Sequence, residues 1–267
     1  MLRSSNPVLS RQDAFTPAAP QYGQDQYGYP QYAGQGQGPV QTTEGRMTFD
    51  DVVTKTAITM AVLVVTAALA WYAIPNTLMF PALILSALVG FVVVLVVSFR
   101  RVINPTLVLV YAAIEGVFIG MISKYFEFLY SGIVAQAVLG TFAAAGVTLA
   151  AYKFFNIRVT PKFQKIVIIA TIAFAVAMLL NFGLSLLGID LGLRDGGTGP
   201  VSLLAVGVAL LGAVLAVLNL VLDFDYIEKG VAMGAPARES WRGAFGLTVT
   251  MVWLYIEILR LLSYLRR

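Results

Sequence analysis

The chain has 267 residues, of which 58% are hydrophobic and 12% are charged, and its formal net charge is +4. A soluble domain carries about 25% charged residues, so this composition predicts an integral membrane protein. The absence of cysteine and histidine excludes disulfides, thiolate nucleophiles, Cys-ligated metal sites and catalytic Ser-His pairs. The sequence contains no visible nucleic-acid-binding module, and its basic residues lie in short polar breaks. Orientation in a membrane therefore explains the positive charge better than nucleic acid does.

Residues 1–45 differ in composition from the rest of the chain. The stretch 21–32 repeats Gln, Tyr, Gly and Pro and contains no aliphatic residue. Such a segment buries too little apolar surface to offset the entropy lost on ordering, so we predict a disordered tail. It also lacks the apolar run of a secretory signal peptide. Two roles stay open: a solvated tail without a specific function, or a docking segment for a partner or protease.

From Thr56 onward, apolar runs of roughly 20 residues alternate with short polar breaks, which is the length that a helix needs to cross a bilayer. The pattern predicts an all-α integral membrane domain over residues 46–267, built as a bundle of seven transmembrane helices. The predicted spans are residues 56–74, 78–98, 106–123, 132–152, 165–187, 201–223 and 244–265.

Basic residues predict the orientation of the chain, because they favour the cytoplasmic side of a membrane. With the amino terminus inside, the cytoplasmic breaks hold eleven Lys and Arg residues and the outer breaks hold four. This distribution predicts a cytoplasmic amino terminus and a cytoplasmic tail. Arg266 and Arg267 fall on the outer side, which leaves open whether the last helix crosses fully.

Acidic residues within the apolar spans are the candidate functional groups, because a carboxylate in a bilayer is costly and is a functional hypothesis by default. Glu115 lies near the middle of span three. We expect it to be either a protonated, hydrogen-bonded structural residue or a member of an ion or proton path. The neighbouring Gly116 and Gly120 form a small-xxx-small face, which favours close packing of another helix.

Asp223, Asp225 and Glu228 cluster where span six is predicted to meet the cytoplasm. The ordinary interpretation is that they are helix-end acids, either solvated or paired with Arg100 and Arg101 of span two. The alternative is that Asp223 and Asp225 belong to an ion path or a pH sensor.

Glu257 lies within span seven, between two isoleucines. An intrahelical pair with Arg260, three residues on, is one interpretation. The other is a pair with Asp223, in which two carboxyls from neighbouring helices share one proton, because both cannot ionise cheaply at one low-dielectric site. Such a pair would act as a pH switch, and when fully ionised it would attract a divalent cation such as calcium.

The predicted depths argue against that pair. Glu257 lies about 20 Å into span seven if this helix starts near Ala244. Asp223 lies at the inner end of predicted span six. The two acids meet only if span six ends later than predicted, or if span seven is tilted and shifted.

These acidic segments carry a family resemblance. Residues 222–227 and 254–259 resemble the acidic motifs that close the last two helices of the Bax inhibitor-1 (TMBIM) family, in its bacterial YccA-like branch. Residues 111–116 resemble the A-x-x-E-G element of that family's third helix. The resemblance covers about residues 46–267 and leaves the tail outside.

The resemblance implies a bundle with the last helix central, in a bacterial plasma membrane. It also implies a pH-gated calcium leak that is controlled by a carboxylate pair at Asp223 and Glu257 and assisted by Arg100 or Arg101. Calcium would be the transported ion, and no catalytic residue or resident cofactor is implied. Two departures are expected: the second acid is Glu instead of Asp, and the link between helices six and seven looks longer than usual.

A second function stays open, because some bacterial members of the family restrain a membrane-bound AAA protease. In that case the chain would be a regulatory binding protein, and the cytoplasmic tail would matter. A seven-helix retinal protein is excluded because span seven contains no lysine for a Schiff base.

Overall fold

The computed structural model describes residues 45–155, 157–189, 191–194 and 201–267. Over these residues the chain forms seven long α-helices, each apolar and long enough to cross a membrane, which confirms the predicted all-α membrane architecture. The helices are α1 (Phe49–Ala73), α2 (Met79–Phe99), α3 (Pro105–Leu129), α4 (Ile133–Phe154), α5 (Pro161–Leu186), α6 (Leu203–Ala232) and α7 (Glu239–Leu265). The predicted disordered tail, apart from Gly45, lies outside the described residues.

Side-chain caps explain where four of these helices begin. Thr48, Asn104, Thr160 and Ser202 each accept a hydrogen bond from a backbone N–H in the first turn of α1, α3, α5 and α6. Such caps satisfy donors that a helix start otherwise leaves unpaired. In α3 and α5 a proline follows the cap directly, where its missing N–H carries no penalty.

Helices α6 and α7 are both longer than predicted at the end where they meet. α6 continues to Ala232, nine residues beyond 223, and α7 begins at Glu239, five residues before 244. An ion pair of 2.6 Å between Lys229 and Asp225, four residues apart, stabilises the added turns of α6. Six residues, 233–238, connect the helices, fewer than the twenty that the predicted spans leave between them.

The last helix lies at the centre of the bundle, in agreement with the resemblance. α7 packs against α1, α3, α4 and α6, while α2 packs against α3 and α5 packs against α6 on the outside. At the far end of α7, Arg266 donates a hydrogen bond of 2.7 Å to the carbonyl oxygen of Ser131, in the turn between α3 and α4. The last helix therefore runs the full length of the bundle.

Outer helices expose large aliphatic side chains over most of their surface. Ile166, Ile169 and Leu180 of α5 and Leu85 and Val92 of α2 are each more than half exposed. A helix that is apolar on all sides is typical of a membrane span that faces lipid.

Gly116 and Gly120 hold α3 against α1, which confirms their predicted packing role. A Cβ built on Gly120 would lie 2.5 Å from the backbone carbonyl oxygen of Ala67, closer than any real contact. At Gly116 a Cβ would overlap the Thr66 hydroxyl. The two helices are therefore in contact through their backbones.

We expect Gly120→Ala to lower the free energy of unfolding by about 1–3 kcal/mol, because the added methyl forces the backbones of α1 and α3 apart. Gly146→Ala in α4 is the matched control, since its Cβ meets no atom within 4 Å. The control should be neutral or stabilising by up to about 1 kcal/mol, from helix propensity alone. Unfolding in detergent micelles measures both variants, and equal stability of the two would contradict the close contact.

Candidate functional site

Asp223 lies at the contact between α6 and α7. Its Oδ2 accepts a hydrogen bond of 2.7 Å from the Thr250 hydroxyl of α7. A Cβ built on Gly246, one turn earlier in α7, would lie 3.1 Å from the Asp223 Oδ1. Because α6 continues to Ala232, Asp223 lies more than two turns inside the helix and not at its end.

Glu257 lies at a different level of the same helix pair and is 1% exposed. Its Oε1 accepts a hydrogen bond of 2.7 Å from Arg194 and a longer one of 3.3 Å from the indole of Trp253. Gly212 of α6 makes room for the carboxyl, because a Cβ there would lie 2.8 Å from the Glu257 Cδ. Among the described residues, the Oε2 has no hydrogen-bond partner.

The two acids do not form the predicted pair. Asp223 contacts Thr250, which precedes Glu257 by seven residues, or about 10 Å along α7. Gly212, which faces Glu257, precedes Asp223 by eleven residues, or about 16 Å along α6. The shared-proton prediction is therefore wrong. The pair does not form because both helices extend beyond their predicted bounds at the same end of the bundle. The difference in depth between the two acids therefore remains.

Arg194 comes from the connection between α5 and α6 and lies above α5 side chains. Its Nε lies 2.8 Å from the Met178 sulfur, and its guanidinium lies 5.8 Å from the centre of the Phe174 ring. A guanidinium over an aromatic face is favourable in a desolvated site. The side chain of Arg194 is 17% exposed, so the ion pair with Glu257 is largely shielded from water.

A cavity of about 810 Å³ surrounds this ion pair. We call it the Arg194 cavity. α3, α5, the α5–α6 connection and α7 form its walls, with Phe118, Phe174 and Trp253 among the lining residues. Arg260 also lines it, one turn beyond Glu257, and its Nε has no hydrogen-bond partner in the described part of the chain. The Arg260–Glu257 pair considered from the sequence is thus replaced by the Arg194–Glu257 pair.

Arg100 and Arg101 lie away from both acids. Their side chains are exposed at the end of α2, and their carbonyl oxygens accept hydrogen bonds from Arg242. Arg242 precedes Thr250 by eight residues, or about 12 Å along α7. The prediction that one of these arginines assists an Asp223–Glu257 pair therefore lacks the pair it requires.

The remaining predicted acids have separate surroundings. Glu115 lies between α3 and α2, with its Oε2 3.0 Å from the position that a Cβ would take on Gly90. Asp225 pairs with Lys229 of its own helix. Glu228 is exposed and accepts a hydrogen bond from the Tyr152 hydroxyl of α4. Neither Asp225 nor Glu228 pairs with Arg100 or Arg101, and Asp225 is buried seven residues before the end of α6.

The sequence did not predict two features of this site. Arg194 is the ion-pair partner of Glu257, and Gly212 leaves space for its carboxyl group. A signal for Arg194 existed, because it is a single arginine in a Gly-rich break on the side with few basic residues. No comparable signal marks Gly212 among the other helix glycines.

Comparison with known proteins decides the family. The sequence profile described as Bax inhibitor 1 like matches residues 6–267, nearly the whole chain. The chain belongs to the Bax inhibitor 1-like family. Because the match starts at residue 6, the expectation that the tail lies outside the family resemblance is wrong. No curated protein matches this Bax inhibitor 1-like chain significantly.

Removing Arg194 should leave a buried carboxylate without its cation. We expect Arg194→Gln to lower the free energy of unfolding by about 3 kcal/mol, the effect of breaking one side of a buried ion pair. Adding Glu257→Gln should recover most of that loss, because the double variant buries two neutral amides. Arg158→Gln, an exposed arginine outside the Arg194 cavity, is the control and should change little.

Titration with a denaturing detergent measures the four proteins as a double-mutant cycle. Additive effects of Arg194→Gln and Glu257→Gln would contradict the ion pair.

Proposed function

We propose that this Bax inhibitor 1-like protein is a passive, proton-gated cation leak that carries calcium, and that the Arg194–Glu257 ion pair holds it closed. The observation that supports this proposal best is the ion pair itself. A guanidinium from a connection, rather than from a helix, reaches a carboxylate that is 1% exposed and lies beside a cavity of about 810 Å³.

The chemistry of the ion pair gives the sign of gating. A proton on the Oε2 of Glu257 removes the negative charge that attracts Arg194, and a neutral acid holds a guanidinium less strongly than a carboxylate does. Gly188 and Ile189 of the same connection also line the Arg194 cavity. Release of Arg194 would therefore free this wall of the cavity, so acid opens the leak.

Asp223 supplies the second charge of the proposed path. Between the levels of Glu257 and Asp223, α6 and α7 are closed by a hydrophobic cluster that includes Leu220, Met251 and Leu254. A cation that passes this cluster reaches the Asp223 carboxyl, which accepts a hydrogen bond from the Thr250 hydroxyl. Separation of α6 and α7 in the open state would put Asp223 in contact with the passing ion.

Calcium in this proposal is cargo and not a resident metal. The described residues contain no cluster of three or more acidic or histidine side chains that could hold a metal ion. A leak needs weak, successive contacts, since an ion that is bound tightly does not leave.

The alternative function, restraint of a membrane-bound AAA protease, stays a prediction. It depends on the tail, which lies outside the described residues. Loss of regulation after deletion of the tail, together with an absence of calcium flux, would favour it over the leak.

We expect Glu257→Gln to open the leak permanently, because the amide imitates the protonated acid. In liposomes loaded with a calcium-sensitive dye, the variant in mildly alkaline buffer should match the flux that the unchanged protein reaches only in acid. Asp223→Asn should lower the flux at every pH by about tenfold or more, equivalent to about 1.4 kcal/mol of lost electrostatic stabilisation, and keep the pH response.

Asp225→Asn is the matched control for the flux experiment, because it neutralises an acid of α6 that pairs with Lys229. Its flux and pH response should be unchanged. No flux from the unchanged protein in acid would overturn the leak, and a normal pH response in Glu257→Gln would overturn the role of the ion pair.

We also propose the orientation that the basic residues predict, with the amino terminus on the cytoplasmic side of a bacterial plasma membrane. Because the chain has no cysteine, single cysteines report position without interference. Ser131→Cys, in the exposed turn between α3 and α4, should react with an impermeant maleimide in intact cells. Lys162→Cys, exposed at the start of α5, should react only after permeabilisation. The reverse pattern would contradict this orientation.

A further inference from the structure

A second cavity, of about 580 Å³, lies at the end of the bundle where α1 and α7 begin. We call it the basic pocket. Lys55 of α1, Arg100 after α2, and Arg238 and Trp241 at the start of α7 contribute to its walls. Among the described residues, its lining contains three cationic side chains and no carboxylate.

Tertiary contacts hold these walls in place. Lys55 Nζ donates a hydrogen bond of 3.0 Å to the carbonyl oxygen of Ala237 and lies 5.9 Å from the centre of the Trp241 ring. Arg242 donates a hydrogen bond of 2.9 Å to the carbonyl oxygen of Arg101. The start of α1, the α2–α3 connection and the start of α7 are thus tied together around the pocket.

Two described acids near these walls, Asp51 and Glu239, do not line the pocket. Asp51 lies 4.0 Å from Lys55, at the limit of an ion pair. Glu239 lies 2.6 Å from Arg242, so its charge is matched by a cation outside the lining. Neither acid forms an ion pair with Arg100, whose side chain is exposed. An anion therefore fits the pocket better than a cation or a neutral group.

The depth of the pocket identifies the kind of anion. α2 has 21 residues, and a helix of that length spans about 30 Å, the thickness of the hydrocarbon core. Arg100 directly follows α2, so it lies at the level of lipid headgroups. Phe99 is 83% exposed and Val102 is 58% exposed on either side of Arg100 and Arg101. Trp241 is the residue type that prefers this interface.

We propose that the basic pocket binds the phosphate of an anionic phospholipid, with Lys55 and Arg100 as its main contacts. The exposed Phe99 and Val102 favour a lipid over a soluble anion, because apolar side chains beside the cations would lie against acyl chains. A guanidinium can bind two phosphate oxygens at once, while an ammonium acts as a point charge. One lipid would then bridge α1, the end of α2 and the start of α7.

Binding of short-chain phosphatidylglycerol to the full-length protein in a neutral detergent tests this proposal, with phosphatidylcholine of the same chain length as the comparison. The unchanged protein should prefer phosphatidylglycerol. Arg100→Gln and Lys55→Gln should each weaken its binding about fivefold, and the double variant about 25-fold, which corresponds to the attraction per basic residue at a membrane surface. Native mass spectrometry measures the bound lipid directly.

Arg158→Gln is the matched control, because Arg158 is an exposed arginine at the same end of the bundle that does not line the basic pocket. It should change the affinity less than twofold, well below the effect expected for one basic residue of the pocket. Equal binding of the two lipids, or equal loss in Arg100→Gln and Arg158→Gln, would overturn the site. Inorganic phosphate that competes as strongly as phosphatidylglycerol would overturn the lipid as the ligand. Arg100→Gln breaks no side-chain contact described for the fold. It therefore still tests the site if Lys55→Gln fails to fold.

Discussion

An ionised carboxylate is costly in the centre of a membrane bundle unless a cation pairs with it, and the arrangement around Glu257 meets this constraint. The cation does not come from a neighbouring helix: Arg194 lies in the connection between α5 and α6, 63 positions away in sequence. Reaching the acid obliges this connection to fold inward beside Phe174 and Met178. A fully buried acid of the last helix is therefore stabilised by a residue outside the helices.

The helices of the bundle could be predicted because their signals are local. Apolar runs and the glycine face of α3 each act within a few residues, and both predict the observed structure. The level of Asp223 relative to Glu257 could not be predicted in this way. It depends on where α6 ends, and the polar turns around Asp225 and Lys229 remain helical although they are not apolar. The role of Arg194 was not predicted, because an ion pair between a loop residue and a distant helix leaves no periodic pattern in the sequence.

Separation of Asp223 and Glu257 changes the kind of switch that the chain can contain. Two acids that share a proton titrate as a single unit, whereas these acids have different partners, a hydroxyl and a guanidinium. The two carboxyls therefore lie in separate environments. The hydrophobic cluster that includes Leu220 and Leu254 keeps the two environments apart.

Gly212 has a consequence for how sequences of this fold can diverge. With a glutamate at 257, a single methyl on residue 212 would overlap the carboxyl group, since its carbon would lie 2.8 Å from the Glu257 Cδ. An aspartate there is one methylene shorter and would vacate that volume, but the same methyl would still lie 2.9 Å from the Phe174 Cζ. Positions 174, 212 and 257 should therefore covary in size across homologues, with a side chain at 212 found only where both facing residues are smaller.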